Sequence, residues 1–418
     1  MSEKQSKGNV AAIAIMFALF FMIAFVTNFA GSMGIIVKNQ FGASNMASQL
    51  GSAANFFAYF FMGIPGGLIL KRKGYKFTSL LAVGVGIVGL VVQLTSGFVS
   101  SFAVYVTGAF IAGFSMCLLN LVVNPLLNTL GGGGNKGNQL VQFGCSLNSI
   151  GATLAPVLLG YLIGGEVAKA KVMDAAPAMY IAIGIFVLAF LVLAFSAIPE
   201  PHLETAEEKA NRSPVLKDIA ATLKFRHFTL GALAIFFYIV VESGIPNMAN
   251  LYMTAEGTPG YVGAAVAGSV VAVYWFCMMI GRLLGGIVGG KVSSRVQIAV
   301  CSTIGILLML ATMFTPVKMV SVFGQTFPLA MCFMALAGLC TSVMWGGIFN
   351  MAAEGLGKYV PMGSGIFMAM VVGGLLLPVQ GLIADKIGIL QSYWLTIGLL
   401  AYVLFYALVG SRVAKSQA

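Results

Sequence analysis

Unbroken apolar runs of about twenty or more residues recur along this chain, near 10–37, 47–70, 77–98, 101–130, 139–164, 177–198, 228–253, 260–290, 295–315, 326–353, 361–385 and 390–411. A helix rises about 1.5 Å per residue, so about 20 residues cross a hydrocarbon core of about 30 Å. Inside lipid the backbone must satisfy its own hydrogen bonds, which leaves helices or closed barrels. Barrel strands alternate in polarity over about 10 residues, and these runs do not alternate. The expected architecture is an all-α membrane protein with twelve transmembrane helices. Composition agrees: 59% of the 418 residues are hydrophobic and 8% charged, with a mean hydropathy of +0.97. Soluble domains carry about 25% charged residues, so a water-soluble enzyme is excluded.

A net charge of +11 would suggest a nucleic-acid partner in a soluble chain. Here the basic residues fall between the apolar runs, where they meet lipid headgroups and fix topology. Membrane lipids are the expected partner and nucleic acid is not. The six cysteines, at 117, 145, 277, 301, 332 and 340, lie inside apolar runs without metal-ligand spacing and read as packing thiols. No metal or cofactor is expected. The polar start, Met1 to Gly8, leads into an apolar run too long for a signal-peptide core, so the first helix is expected to be retained.

Placing the N-terminus in the cytoplasm sorts Lys4, Lys7, Lys71, Arg72, Lys73, Lys76, Lys136, Lys209, Arg212, Lys217, Lys224, Arg226, Arg282, Lys291, Arg295, Lys358, Arg412 and Lys415 to the inner connections. Only Lys38, Lys169, Lys171, Lys318 and Lys386 fall outside. A split of 18 to 5 favours an even number of spans with both termini inside.

The densest charge lies between Pro199 and Arg226, and it divides six spans from six. It reads as a solvated cytoplasmic linker, 199–226, between an N-terminal six-helix bundle, 1–198, and a C-terminal one, 227–418. Basic turns follow the second span of each half, Lys71-Arg72-Lys73-Gly74-Tyr75-Lys76 and Lys291 to Arg295. This repeat of two pseudo-symmetric bundles resembles the layout of the major facilitator superfamily. Lys71 stands where that superfamily's basic motif carries an Asp.

Ionisable groups at bilayer depth are expensive and default to function. Of the twelve acids, Glu242 lies mid-span, Glu354 and Asp385 fall near helix ends, and the other nine lie in tails or connections. A carboxyl in a low dielectric is driven toward its neutral form, so Glu242 is the candidate proton carrier. Its structural alternative is a hydrogen bond to a neighbouring helix. No Lys or Arg is read at mid-depth, which favours a neutral substrate. Amides are plentiful instead: Asn28, Gln49, Asn55, Asn120, Asn124, Gln142, Asn148, Asn247, Asn250, Asn350 and Gln380. They offer donor and acceptor together, which matches sugar hydroxyls, and Tyr274, Trp275 and Trp345 can stack on a pyranose ring. Any one of these amides reads equally well as a bond between helices.

Particular strings carry a narrower resemblance. Leu121-Val-Val-Asn-Pro125, Leu147-Asn-Ser-Ile-Gly-Ala152, Tyr274-Trp-Phe-Cys-Met-Met-Ile-Gly-Arg282, Gly355-Leu-Gly-Lys-Tyr359 and Gly373-Gly-Leu-Leu-Leu-Pro-Val-Gln-Gly381 are similar to the fucose/glucose/galactose:proton symporter family, in both halves. The resemblance implies that family's fold and an importer taking up a monosaccharide with a proton by alternating access. Glu242 falls where many glucose/galactose-type members carry an acid. The chain also departs from the pattern. Gly31 stands where members often have a first-span Asp, Asn120 where they have Glu or Gln, and Cys145 where they have Gln. Trp345-Gly346-Gly347 replaces a Phe-Pro-Thr pattern.

The resulting expectation is a secondary active transporter of a neutral hexose, deoxyhexose or related sugar in a bacterial inner membrane, acting as a monomer. Asn28, Asn120, Asn148, Glu242, Asn247, Trp345 and Gln380 are the expected substrate-binding residues, with Glu242 also coupling the proton. Sodium in place of the proton, facilitated diffusion and drug export by the same fold stay open. So does a non-transporting sugar sensor. An enzyme is not expected, because no paired carboxylates, His cluster or nucleophile motif is present. His202 and His227 read as solvated or interfacial.

Overall fold

The computed structural model describes residues 3–41, 50–162, 171–210, 214–255, 257–322 and 324–413. In chain order the helices are α1 (Glu3–Phe41), α2 (Leu50–Val99), α3 (Phe102–Leu130), α4 (Gly134–Leu162), α5 (Ala176–Phe195), the short α6 (Ala206–Ala210) and α7 (Val215–Leu223), α8 (Arg226–Thr254), α9 (Ala264–Gly289) and α10 (Ser294–Phe314). A hairpin, β1 (Met319–Val322) and β2 (Gln325–Pro328), precedes α11 (Ala330–Thr341), α12 (Met344–Ala353), α13 (Val360–Ala369), α14 (Leu377–Ile387) and α15 (Tyr393–Phe405). Among the described residues ten helical stretches are long and apolar enough to cross a membrane. One of them, Ala53–Val99, is 47 residues long, about twice the bilayer core at 1.5 Å per residue. It breaks at Gly74, whose φ of 84° lies outside the helical range. Counting its two limbs and adding α4 gives the twelve-helix fold.

The hairpin is an addition to the all-α expectation. Val320 pairs with Phe327 and Val322 with Gln325, closed by a tight turn in which Gly324 has a φ of 77°.

Local sequence accounts for the helix ends. Ser101 and Ser293 cap α3 and α10 by accepting the N–H of Val104 and Val296. Proline stands in the first turn of α5, α13 and α14, where its missing N–H removes no helical bond. Buried hydroxyls turn back to their own helix: Thr78 donates to Gly74 O at 2.6 Å and Ser79 to Tyr75 O at 2.8 Å. In lipid this satisfies a donor that has no water to reach. On α5 the apolar side chains Leu188, Leu191 and Phe195 stand exposed, Phe195 at 88%, as a lipid-facing surface requires.

The contacts divide the chain into two compact units. The first comprises Met1–Gly132, Leu147–Thr222 and Leu356–Val372; the second comprises Gly133–Ser146, Leu223–Gly355 and Gly373–Ala418. In the first unit small residues bring backbones together. A Cβ at Gly89 would lie 2.6 Å from Ala112 N, and one at Gly108 would lie 2.6 Å from Gln93 N. Such close approach is how helices gain dispersion contact where lipid offers no hydrophobic drive between them.

The linker is less solvated than its charge suggests. Glu204 and Asp218 are buried, and Asp218 pairs with Lys71 at 2.8 Å. Lys71, Arg72, Glu204, Lys217, Asp218 and Lys358 are among the residues lining a cavity of about 290 Å³ in this unit. At the Gly74 break Glu200 accepts the N–H groups of Tyr75 and Lys76, the latter at 2.8 Å, and so caps the second limb of α2 with a carboxylate. A Cβ on Gly74 would meet that carboxyl carbon at 2.6 Å.

Of the two histidines, His227 departs from the solvated or interfacial reading, while His202 is half-buried. His227 is 1% exposed, with Nε2 2.7 Å from the Glu354 carbonyl oxygen. His202 places Nδ1 2.6 Å from the hydroxyl of the buried Tyr75. Desolvation holds His202 below its ordinary value of 6.5, so the docked linker binds fewer protons than the undocked one in the window beneath 6.5. Its contribution to stability is full above that window and falls as pH drops through it. Replacing His202 by Gln is expected to flatten the acid side of the melting-temperature profile measured in detergent. An unchanged slope in that variant would remove His202 from the account.

Candidate functional site

The second unit holds an ion pair inside its membrane-spanning helices. Glu242 lies on α8 four residues before Pro246, and Arg282 lies on α9. Arg282 Nη2 is 3.1 Å from Glu242 Oε1, with the two side chains only 10% and 16% exposed. The Tyr238 hydroxyl donates to the same Oε1 at 2.8 Å. The Tyr274 hydroxyl reaches the Glu242 carbonyl oxygen at 3.0 Å and Thr341 Oγ1 at 3.0 Å. The other terminal nitrogen of Arg282, Nη1, donates to the carbonyl oxygen of Cys145 on α4 at 3.3 Å. Glu242 is therefore a paired carboxylate held by a guanidinium and a phenol.

Arg282 corrects the sequence reading on two counts. The charge count sorts it to an inner connection and leaves mid-depth free of cations, whereas the structure buries it in α9 against Glu242. The signal was present, because Arg282 falls inside the apolar run 260–290. Its charge is cancelled by the carboxylate beside it, so the pair adds no net charge that would call for an anionic ligand.

The expected site residues separate between the units. In the first, Asn120 Nδ2 donates to the Tyr59 hydroxyl at 2.9 Å and to Met116 O at 3.1 Å. Asn124 Nδ2 donates to Asn120 O at 2.9 Å. Asn148 Nδ2 donates to Phe20 O on α1 at 3.0 Å. Asn28 lies on the part of α1 whose side chains fall outside the described residues, as does Gln49 before α2. In the second unit Asn247 is exposed one turn beyond Glu242, and Trp345 is half-buried on α12. Gln380 is fully buried and donates to Thr396 Oγ1 at 3.1 Å. It packs on α8 where a Cβ at Gly244 would collide with Gln380 Oε1. Two residues before that glycine stands Glu242, so Gln380 borders the segment carrying the ion pair. Tyr59, Tyr238 and Tyr274 are hydrogen-bond partners of these groups that the sequence alone does not reveal. Among the described residues no cluster of three metal-ligating side chains occurs.

Twelve membrane-spanning helices, with an ion pair buried among their described residues, define a polytopic helical protein with an intramembrane polar site. The chain belongs to the Major Facilitator Superfamily, whose family model matches residues 15–371. It is similar to the glucose/galactose transporter of Brucella abortus biovar 1 (strain 9-941), 28% identical over 417 residues, covering 98% of this chain and 97% of that one. It is also similar to the L-fucose-proton symporter of Escherichia coli (strain K12), 22% identical over 407 residues, covering 92% and 89%. Its fold matches a crystal structure of the transporter FucP in the outward conformation, with a TM-score of 0.84 at 18% identity, over 97% of this chain and 100% of that one.

Proposed function

We propose that this protein carries a neutral monosaccharide, a hexose or deoxyhexose of the glucose, galactose or fucose type, across the bacterial inner membrane together with a proton. The relatives named for glucose/galactose transport and L-fucose-proton symport support the substrate class. The observation that carries the coupling is Glu242, a carboxylate on a membrane-spanning helix held by Arg282 at 3.1 Å and Tyr238 at 2.8 Å. A carboxylate in such a place can take a proton from one side and return it to the other, provided its surroundings stabilise both forms. In the charged form Arg282 and Tyr238 supply that support. In the protonated form the carboxyl becomes a donor available to a sugar hydroxyl.

Sugar recognition is assigned to Asn28, Asn120, Asn148, Glu242, Asn247, Trp345 and Gln380, with the amides meeting hydroxyls and Trp345 stacking on the ring. The basic connections support a topology with both termini in the cytoplasm, and the proposed functional unit is a monomer. Proton and sugar are then linked through one group, each raising the affinity for the other.

Reconstitution in proteoliposomes with a sugar panel, and with pH and sodium gradients imposed separately, tests substrate and coupling together. Glu242→Gln is expected to permit sugar exchange and to abolish accumulation against a gradient. Accumulation that survives in the variant would remove Glu242 as the carrier. A second reading, facilitated diffusion, is favoured by the ion pair itself, since a carboxylate already neutralised by Arg282 can stay unprotonated throughout. It expects the native protein to equilibrate sugar without concentrating it.

A further inference from the structure

Beside the basic turn Lys291 to Arg295, three buried amides of the second unit carry atoms that the protein leaves unpaired. Asn138 is 0% exposed, and neither its Nδ2 nor its Oδ1 meets a hydrogen-bond partner among the described residues. The same holds for Gln142 Oε1 and Gln297 Oε1, on side chains that are also buried. The other ends of these two amides are fixed: Gln142 Nε2 donates to the Val343 carbonyl oxygen at 2.8 Å, and Gln297 Nε2 to that of Val292 at 2.8 Å. Asn138 and Gln142 stand one turn apart on the same face of α4, and Gln297 lies in the first turn of α10. What they face is bare backbone. A Cβ at Gly289 on α9 would lie 3.4 Å from Asn138 Nδ2 and 3.5 Å from Gln297 Nε2, so both amides border one point. A Cβ at Gly285 would lie 3.7 Å from Gln297 Oε1, and one at Gly346 on α12 would lie 3.1 Å from Gln142 Nε2. All of these residues belong to the second unit.

A buried amide without a partner is expensive, so a folded protein keeps one where a ligand or water completes it. A lone example needs no more than a water. Here three amides border one glycine-lined surface, and their open atoms make one donor group and three acceptors without a formal charge. That set matches neighbouring sugar hydroxyls, each of which donates and accepts, and the missing Cβ atoms leave backbone as the opposite wall. We propose that Asn138, Gln142 and Gln297 form a second polyol-binding site, distinct from the surroundings of Glu242, which a sugar occupies on its way to the cytoplasm. The place in the fold gives the order. Arg282, which holds Glu242, lies seven residues before Gly289 on α9, about 10 Å at 1.5 Å per residue. Gly289 is followed within two residues by Lys291, whose basic turn is cytoplasmic in the topology proposed above. A sugar leaving Glu242 toward that side meets these amides next.

The inference rests on the reading of this protein as a monosaccharide carrier, and the test judges the two apart. D-galactose, L-fucose and the monodeoxy analogues of each are offered in exchange assays to right-side-out membrane vesicles, which present the outer face, and to inverted vesicles, which present the cytoplasmic one. In the native protein, losing a hydroxyl that an amide holds is expected to weaken apparent affinity about tenfold. In Asn138→Leu that penalty is expected to vanish for at least one analogue in inverted vesicles and to persist in right-side-out ones. Gln297→Met should act in the same way, and so should Asn138→Ser, a smaller change that covers the case in which leucine does not fold. Gln93→Leu is the control: its amide is also buried and unpaired, but in the first unit, and every penalty should stay in place. A variant that only shifts the balance between inward-facing and outward-facing forms changes all sugars by one factor and leaves the penalties as they were. That result would overturn the proposal, as would penalties that fall equally in both vesicle types. Native vesicles that move neither sugar remove the carrier reading and this site with it. Native exchange whose cytoplasmic penalties survive Asn138→Leu and Gln297→Met removes the site alone.

Discussion

Replacing Arg282 by Leu is expected to destabilise the protein by about 3–5 kcal/mol in a denaturant titration of mixed micelles, the range for breaking a buried ion pair from one side. The loss comes mostly from what is left behind. Glu242 would keep Tyr238 as a donor but would hold an uncompensated charge among apolar helices. The penalty should shrink in acid, where the orphaned carboxyl can take a proton. Replacing Glu242 by Leu in the same background removes that charge as well. The double variant is expected to recover most of the loss, because a buried pair exchanged for apolar side chains of similar volume is often neutral or better. The coupling between the two positions in a double-mutant cycle is thus the quantity to measure. A single Arg282→Leu variant within about 1 kcal/mol of the native protein would mean that the pair is hydrated and contributes little.

This expectation turns on a residue that the sequence displayed without its role being evident. The spans themselves were legible because a long apolar run in lipid has one local solution, a helix that closes its own hydrogen bonds. The break at Gly74 is marked by the basic turn Lys71 to Lys76, whereas the hairpin of Met319–Val322 and Gln325–Pro328 is not anticipated by the run pattern. Arg282 was misassigned because its charge was sorted with the connection beyond Gly289 rather than with the helix that contains it. Its partner is 40 residues away on another helix, and spacing along the chain does not encode that meeting. The amides show the same limit. Asn120, Asn148 and Gln380 were read as a group, and each spends donors on a neighbouring tyrosine, carbonyl or threonine. Whether an amide faces a ligand or a helix depends on tertiary neighbours, whereas its presence in an apolar run depends on sequence alone.

A methyl group added at the crossing of α2 and α13 is expected to have the next largest effect. These helices come from the two ends of the chain yet pack within the first unit, and they meet backbone to backbone. A Cβ at Gly63 would lie 2.5 Å from the Gly365 carbonyl oxygen and 2.7 Å from Ala369 N. One at Gly365 would lie 2.6 Å from the Gly63 carbonyl oxygen, and one at Gly67 would lie 2.6 Å from the Pro361 carbonyl oxygen. No rotamer relieves a clash between a Cβ and a main-chain atom, so the helices themselves must separate. Gly63→Ala and Gly365→Ala are each expected to cost about 1–3 kcal/mol by overpacking. Their effects should add to less than their sum, since separation forced by the first methyl already makes room for the second. Gly84→Ala on the second limb of α2 is the control: a Cβ there meets nothing within 4 Å, and the change should be neutral or slightly stabilising. Equal losses at Gly63 and Gly84 would show that helix propensity, and not the crossing, sets the cost.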